Sequence, residues 1–415
     1  MALSESVDMA GQVPRLGESA DQTEKPRRFF ILWALFFFQY AAVGAYFIFL
    51  NVYFKEVGLS GTQIGLISMV GGAVAMASAF GWGYLADRTG TPNRWISVGA
   101  LGALLMAQLI PLVKAAGLEQ PVLYYTLIGI CANIMTAAPM TLVDSTCLAM
   151  LGGRSRDYGR YRMSGSVGYI ITAVLAGYLY ESAGRNWMFP LYGALMLVFA
   201  LIALRLPHRA VRLSEAGWDK IGEMIRQPAW LLLVGTGFLY WVAYSASNAF
   251  TGVILKSMGA SDSLISFAMV VGAVVEVPIM IYSNRLLKWI GPVRLMWFAI
   301  SMQILRYFLL SRMTDPAAAV AINLINGPGF VLFLVSMLNL IARLAPPSLL
   351  ATAQGFYQAV VSLAGILSSL LSGILFDRIG QPGLFLTLSG MCLAAFILFG
   401  AGIVLRRPGV GLKGG

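Results

Sequence analysis

This 415-residue chain encodes an all-α polytopic membrane protein, with 12 transmembrane helices in two pseudo-symmetric six-helix bundles. Three observations lead there: a composition that only lipid can solvate, twelve apolar runs of spanning length, and a second half that repeats the first. Hydrophobic residues make up 58% and charged residues 11%, whereas a soluble domain carries roughly 25% charge. Mean hydropathy is +0.77. Too few polar groups remain to coat a water-facing surface, which excludes soluble enzymes, coiled coils and disordered scaffolds.

Crossing a bilayer takes roughly 20 apolar residues, and more when the helix tilts. The runs lie at 29–54, 61–86, 95–114, 121–150, 159–180, 187–206, 229–255, 262–284, 294–312, 317–342, 350–376 and 383–405. Each is apolar throughout rather than alternating, which predicts helices and not barrel strands. The first run is longer than the roughly 7–15 residues of a signal-peptide core, so it is expected to stay as a span. The resulting organisation is a disordered cytoplasmic tail (1–28), an N-terminal six-helix bundle (29–206), a cytoplasmic linker (207–228), a C-terminal six-helix bundle (229–405) and a cytoplasmic tail (406–415). Within the linker, an amphipathic piece from Trp218 to Ile225 suits contact with a lipid surface.

The net charge of +11 could point to nucleic acid, but its placement does not. With the amino terminus in the cytoplasm, 22 of the 29 Lys and Arg residues fall in cytoplasmic segments and six in outer loops, as the positive-inside rule requires. The expectation is a protein of the bacterial inner (plasma) membrane with both termini cytoplasmic, a monomer with no nucleic-acid partner. Cys131, Cys147 and Cys392 lie inside apolar runs, so no disulfide framework is signalled. The single histidine, His208, lies outside the spans. Neither a metal, a cofactor nor enzymatic activity is expected, and no Gly-x-x-x-x-Gly-Lys-Ser/Thr phosphate loop occurs.

Internal similarity carries the functional argument. Lys55-x-x-Gly58-x-Ser60 recurs as Lys256-x-x-Gly259-x-Ser261, an offset of 201. Gly90 and Arg94 recur as Gly291 and Arg294. Gly177-x-x-x-Glu181-x-x-Gly184 recurs as Gly373-x-x-x-Asp377-x-x-Gly380, now with an offset of 196. A duplicated bundle places a cavity where its halves meet, with alternating access by rocking.

The chain resembles the major facilitator superfamily over nearly its whole length. The motif that carries the resemblance is Gly83-Tyr-Leu-Ala-Asp87-Arg88-Thr-Gly90 with Arg94 after it. The resemblance implies that this loop latches the cytoplasmic side between conformations. Gly83 is expected to admit a neighbouring backbone, Asp87 to pair with Arg88, Arg94 or a helix terminus, and Gly90 to make the turn. The second copy, Ser283-Asn284-Arg285 with Gly291 and Arg294, has lost the acid. Tyr53-Phe-Lys-Glu-Val-Gly58 and Asp157-Tyr-Gly159-Arg160-Tyr-Arg162 are similar to the branch containing lactose permease, phenylpropionate permeases and nucleoside–proton symporters.

Ionisable residues within spans are costly and mark function by default. Asp144 on span four and Arg162 on span five lie at similar depth, where a salt bridge is plausible. The resemblance implies that they contact substrate, and a structural pair bracing the loop is the other reading. Glu276 near the middle of span eight and Arg306 on span nine make a proton site and its switch, or a fixed ion pair. Burial and a mobile arginine act on a carboxyl's proton in opposite senses, so conformation can set protonation. The partners that the lactose-permease branch carries on span ten are missing, leaving Asn323 and Asn326 there.

Candidate lining groups for the solute are Gln39, Tyr40 and Tyr46 on span one, Tyr169 on span five, and Tyr240, Trp241, Tyr244 and Asn248 on span seven. Asn326, Gln354, Tyr357 and Gln358 complete the set. The expected function is secondary active transport of a small organic solute (a sugar, a nucleoside or an aromatic or organic acid), with proton symport. Proton-antiport export of a drug or metabolite, and uniport, are the alternatives. A non-transporting receptor would need an output domain for which the tails are short.

Overall fold

The computed structural model describes residues 18–151, 158–206, 227–346 and 349–404, with the backbone alone at 18–29, 351 and 404. Most of the expected linker, with His208 and Trp218 to Ile225, lies outside the described residues, as do Asp157 and 406–415.

The N-terminal half consists of α1 (Glu18–Glu56), α2 (Gly61–Thr89), α3 (Pro92–Ala115), α4 (Pro121–Leu151), α5 (Tyr158–Ala183) and α6 (Met188–Ala203). The C-terminal half consists of α7 (Pro228–Ser257), α8 (Asp262–Trp289), α9 (Pro292–Ser311), α10 (Ala318–Asn323), α11 (Asn326–Leu344) and α12 (Leu350–Val404). Among the described residues, eleven helices are long and apolar enough to cross a membrane, α10 and α11 joining in one span, Ala318–Leu344. The last, α12, has 55 residues, or about 80 Å at 1.5 Å per residue. That is more than twice the roughly 30 Å hydrocarbon core. It breaks at Gly380 (φ 64°, ψ −168°), two residues before Pro382, so its limbs supply the last two of the twelve expected crossings.

Local sequence sets the helix ends. Ser60 caps α2 by accepting from Gln63 N–H, while the Gln63 side chain accepts from Ser60 N–H, the reciprocal capping box. At the other end Gly90 takes the left-handed conformation (φ 63°) and its N–H reaches Ala86 O, as a helix stop requires. Proline opens α3, α7 and α9, where its missing N–H costs nothing.

With no hydrophobic force between helices in lipid, close backbone approach has to come from small residues. Along α1 and α5, the Gly168 Cα lies against the Phe37 carbonyl, Gly165 against the Tyr40 ring and Gly44 against the Tyr169 carbonyl. Polar side chains add stitches: Ser164 Oγ donates to Trp33 O at 2.8 Å and Tyr180 OH to Ala45 O at 2.8 Å. Gln108 Nε2 ties α3 to Phe189 O at 2.7 Å. In the other half Asn323 Nδ2 donates to Ala268 O at 2.8 Å and Gln381 Nε2 to Leu310 O at 3.1 Å. Each half is thereby a braced unit.

Candidate functional site

The end of the bundle where α1 begins and α12 finishes is called the terminal end here, and the opposite one the distal end. Contacts between the halves cluster at the distal end. Four charges alternate there. Arg185, just before α6, meets Glu56 at 2.5 Å and also binds Asp262 at the start of α8. Lys256 lies 3.5 Å from Glu56 and 3.3 Å from Asp262. Arg185 and Asp262 are both 6% exposed at their side chains. A buried ion pair is tolerable only when well paired, and here each charge has opposite neighbours.

Two acids cross the same interface to cap helices. Asp377 on α12 accepts from Gly61 N–H at 2.8 Å, Thr62 N–H at 2.6 Å and Thr62 Oγ at 2.7 Å. Glu181 on α5 accepts from Ser263 N–H at 3.2 Å. Both carboxylates meet the positive end of a helix dipole. One turn earlier sit the glycines of the same repeat: Gly373 packs on the Gly61 carbonyl, and Gly177 on Ser266 and the Asp262 carbonyl. The duplicated Gly-x-x-x-acid motif is therefore the seam between the halves. Sequence reasoning found the motif and not its partner. The matching offset of the serine-capped helix starts, Ser60 and Ser261, was the signal available.

At mid-depth in the C-terminal half, Arg306 is 2% exposed. Its Nε donates to Asn323 Oδ1 at 2.9 Å, its Nη1 to Gln303 Oε1 at 3.2 Å and its Nη2 to Ser247 Oγ at 3.4 Å. Gln303 in turn donates to Asn326 Oδ1 at 3.2 Å. All of these partners are neutral. The expected ion pair with Glu276 is not formed: Glu276 is half-buried and makes no hydrogen bond or ion pair among the described residues. Asn323, one of the two polar groups noted on span ten, together with Gln303 and Ser247, which the sequence gives no reason to rank, has taken up the guanidinium. Tyr244 lies beside Asn248 and Asn326, and Glu276 lies near both Tyr244 and, across the interface, Tyr169. Asn248 is exposed in the middle of α7, on the helix that faces α1.

The N-terminal pair is also open. Asp144 accepts from Tyr158 OH at 2.9 Å, and Arg162 donates to Tyr40 OH at 2.5 Å with its guanidinium 3.9 Å from the Tyr40 ring centre. No direct Asp144–Arg162 bridge occurs among the described residues. Two tyrosines stand between the charges, and Tyr158 had not been singled out. Phe330, equally unforeseen, stacks on Tyr244 at 4.9 Å.

The other lining candidates divide. Trp241 Nε1 donates to Tyr357 OH at 2.7 Å, and Gln354 and Gln358 are exposed one turn apart beside that pair. Tyr240 is fully buried, stacked on Phe333 at 3.5 Å and donating to Gly329 O at 3.1 Å, which makes it a packing residue. Gln39 is buried and donates to Pro139 O at 3.3 Å, bracing α1 on α4. Tyr46 stacks on Tyr192 at 4.3 Å, inside the N-terminal half and away from the charged clusters. The latch residues Asp87, Arg88 and Arg94 are exposed, and Asp87 makes no ion pair among the described residues. Gly83 has no neighbouring backbone within 4 Å, contrary to expectation. A groove of about 380 Å³ between α2 and α4 runs past it instead.

Two braced helical halves, fastened at one end around charged groups at mid-depth, define a membrane transporter. The chain belongs to the MFS_1 like family, whose match spans residues 29–387. It is 29% identical to the maltose permease of Geobacillus stearothermophilus over 387 residues, covering 91% of this chain and 94% of that one. It is 26% identical to the probable 3-phenylpropionic acid transporter of Escherichia coli (strain K12) over 370 residues, covering 88% and 94%. Its fold superposes on the crystal structure of the nucleoside transporter NupG with a TM-score of 0.78 at 18% identity, covering 90% and 98%.

Proposed function

We propose that this protein is an alternating-access symporter that admits a small organic solute of the sugar or nucleoside kind together with a proton. The terminal end is the cytoplasmic one, as the distribution of Lys and Arg requires, so the state described here is closed outward. Glu276, unpaired among the described residues, and a fully engaged Arg306 in the same half carry this reading. A carboxylate without a partner in the membrane is costly, and two events remove that cost: taking up a proton, or a shift of Arg306 out of its amide cradle toward it. A site with two such solutions can tie protonation to conformation. Arg162, Tyr40 and Asp144 present a cation, a hydroxyl and a carboxylate to the solute from the other half. The loop from Gly83 to Arg94 closes the cytoplasmic side in the alternate state, where Asp87 finds a partner that no described residue supplies here.

The test is transport in proteoliposomes with and without an inward pH gradient, using maltose, sucrose, uridine and 3-phenylpropionate. Glu276→Gln should abolish gradient-driven accumulation and leave counterflow intact. Accumulation unchanged in that variant removes Glu276 from coupling, accumulation driven by an outward gradient makes the protein an exporter, and gradient-independent equilibration makes it a uniporter.

A further inference from the structure

The N-terminal half contains a chamber of about 270 Å³ that the charged clusters do not use. It lies among α1, α2, α3, α4 and α6, and Ala249 of α7 closes it on the side of the other half. Asn51 fastens that closure, donating from Nδ2 to Ala249 O at 3.0 Å. None of the residues lining it is ionisable as an acid or base of the carboxylate, amine, guanidinium or imidazole kind. Its polar groups are amides and hydroxyls, chiefly Asn51, Asn133 and Ser68. The Asn133 amide is oriented by its bond to Gly129 O at 2.8 Å, which leaves its Oδ1 as an acceptor. One wall is the stacked pair Tyr46 and Tyr192, 4.3 Å apart and inclined by 27°.

The repeat explains why this space is hollow. Pro92-x-Arg94 at the start of α3 matches Pro292-x-Arg294 at the start of α9, an offset of 200. Uninterrupted helix then sets Ala103 opposite Gln303. In the C-terminal half Gln303 fills the position and bonds both Arg306 and Asn326. In the N-terminal half a methyl group stands there and the volume is left open. Protein interiors normally close such spaces. The chamber falls just under the roughly 300 Å³ at which small-molecule pockets begin, which is room for one ring.

We infer that this chamber is a subsite for an uncharged, hydroxyl-bearing ring, the sugar moiety of a glycoside or of a nucleoside. The inference rests on the transport reading above and narrows its substrate. The ring's apolar face packs on the tyrosine pair, and its hydroxyls take the amide and serine groups. A carboxylate in the same place would be desolvated with no cation to meet it. Asn51 and Ala249, whose bond crosses between the halves, both line the chamber, so a ring seated there bears on the contact between them.

The experiment is calorimetric titration of the full-length protein in lipid nanodiscs with maltose, uridine and 3-phenylpropionate. Ala103→Gln, which writes the second half's residue into the first, should weaken maltose or uridine roughly tenfold or more, since a site that bonds hydroxyls discriminates strongly when blocked or unpaired. Ser68→Ala, which adds no bulk and decides the matter alone should Ala103→Gln misfold, should weaken the same ligand severalfold. Leu105→Ala, on the exposed face of α3, should change nothing. Sugar-ring affinity at the wild-type level in the folded variants overturns the subsite. Binding of 3-phenylpropionate alone by the wild type also overturns it, and with it the sugar or nucleoside solute, while sparing alternating-access symport, and binding of none of the three sinks both. Which of maltose and uridine binds tells the glycoside from the nucleoside.

Discussion

Asp377 caps the first turn of α2 from the opposite half of the molecule, its carboxylate 2.8 Å from the N–H of Gly61. A charge at a helix amino terminus contributes about 0.3–1 kcal/mol, and up to about 2 in partly buried geometry. Asp377→Asn should therefore loosen the distal closure severalfold. A cysteine at Ser369, which faces Gly65 across the seam, reports it in a Cys131→Ser background. Maleimide labelling from the distal side should rise, and an unchanged rate would show that the cap contributes nothing to closure.

Arg185 and Lys256 share the acids Glu56 and Asp262 but differ in depth. The Arg185 side chain is 6% exposed and that of Lys256 31%. Removing one partner from a buried pair costs about 3–5 kcal/mol, whereas a surface pair contributes about 0–1 kcal/mol. Arg185→Ala should lower the melting temperature of the detergent-solubilised protein well below that of Lys256→Ala. Equal losses would mean that the four charges share one solvated environment.

Arg306 engages three side chains with three different nitrogens. Lysine keeps the charge but not the planar fork, so Arg306→Lys should leave Asn323 and Gln303 without their donor. Gradient-driven uptake should fall at least tenfold, with counterflow less affected. Wild-type uptake would reduce Arg306 to a bare charge.

The contact between Arg162 and Tyr40 combines a hydrogen bond with ring stacking. Stacking of a guanidinium on an aromatic ring contributes about 0.5–2 kcal/mol. Tyr40→Phe keeps the ring and should weaken solute binding a fewfold, while Tyr40→Leu should approach the loss given by Arg162→Ala. Wild-type affinity in Arg162→Ala would make this contact a brace for α1 and α5 only.

The sequence made the spans legible because lipid leaves so few choices. A run of about 20 apolar residues must be helical, and small residues must line contacts. The gap between the runs ending at 376 and starting at 383 brackets the break at Gly380, although helix continues on either side of it. The ion pairs were not legible. Depth along a helix sets Glu276 and Arg306 roughly 8 Å apart, within an arginine's reach, but depth says nothing about competition, and Gln303, Asn323 and Ser247 hold the guanidinium here. Tyr158 and Tyr40 similarly intervene between Asp144 and Arg162. Gln39 and Tyr240 looked like solute contacts by residue type, and only the packing reveals that each is occupied with a backbone carbonyl. The distal quartet escaped because Glu56, Arg185, Lys256 and Asp262 sit at span ends, where charge is unremarkable.

The two seams of the distal closure are built from different materials. Between α2 and α12 the fastening is an exposed carboxylate on backbone amides over touching glycines, held by short hydrogen bonds rather than by charge pairs. Between α5 and α8 a comparable cap is joined by the charge quartet, whose Glu56 and Lys256 are partly open to water and so within reach of screening. Raising ionic strength should weaken the second seam, which holds the charge pairs, more than the first, which rests on hydrogen bonds to amides. Salt would then act as a tilting force, making one flank of the molecule part before the other and turning a symmetric rocking motion into a hinge with a preferred side.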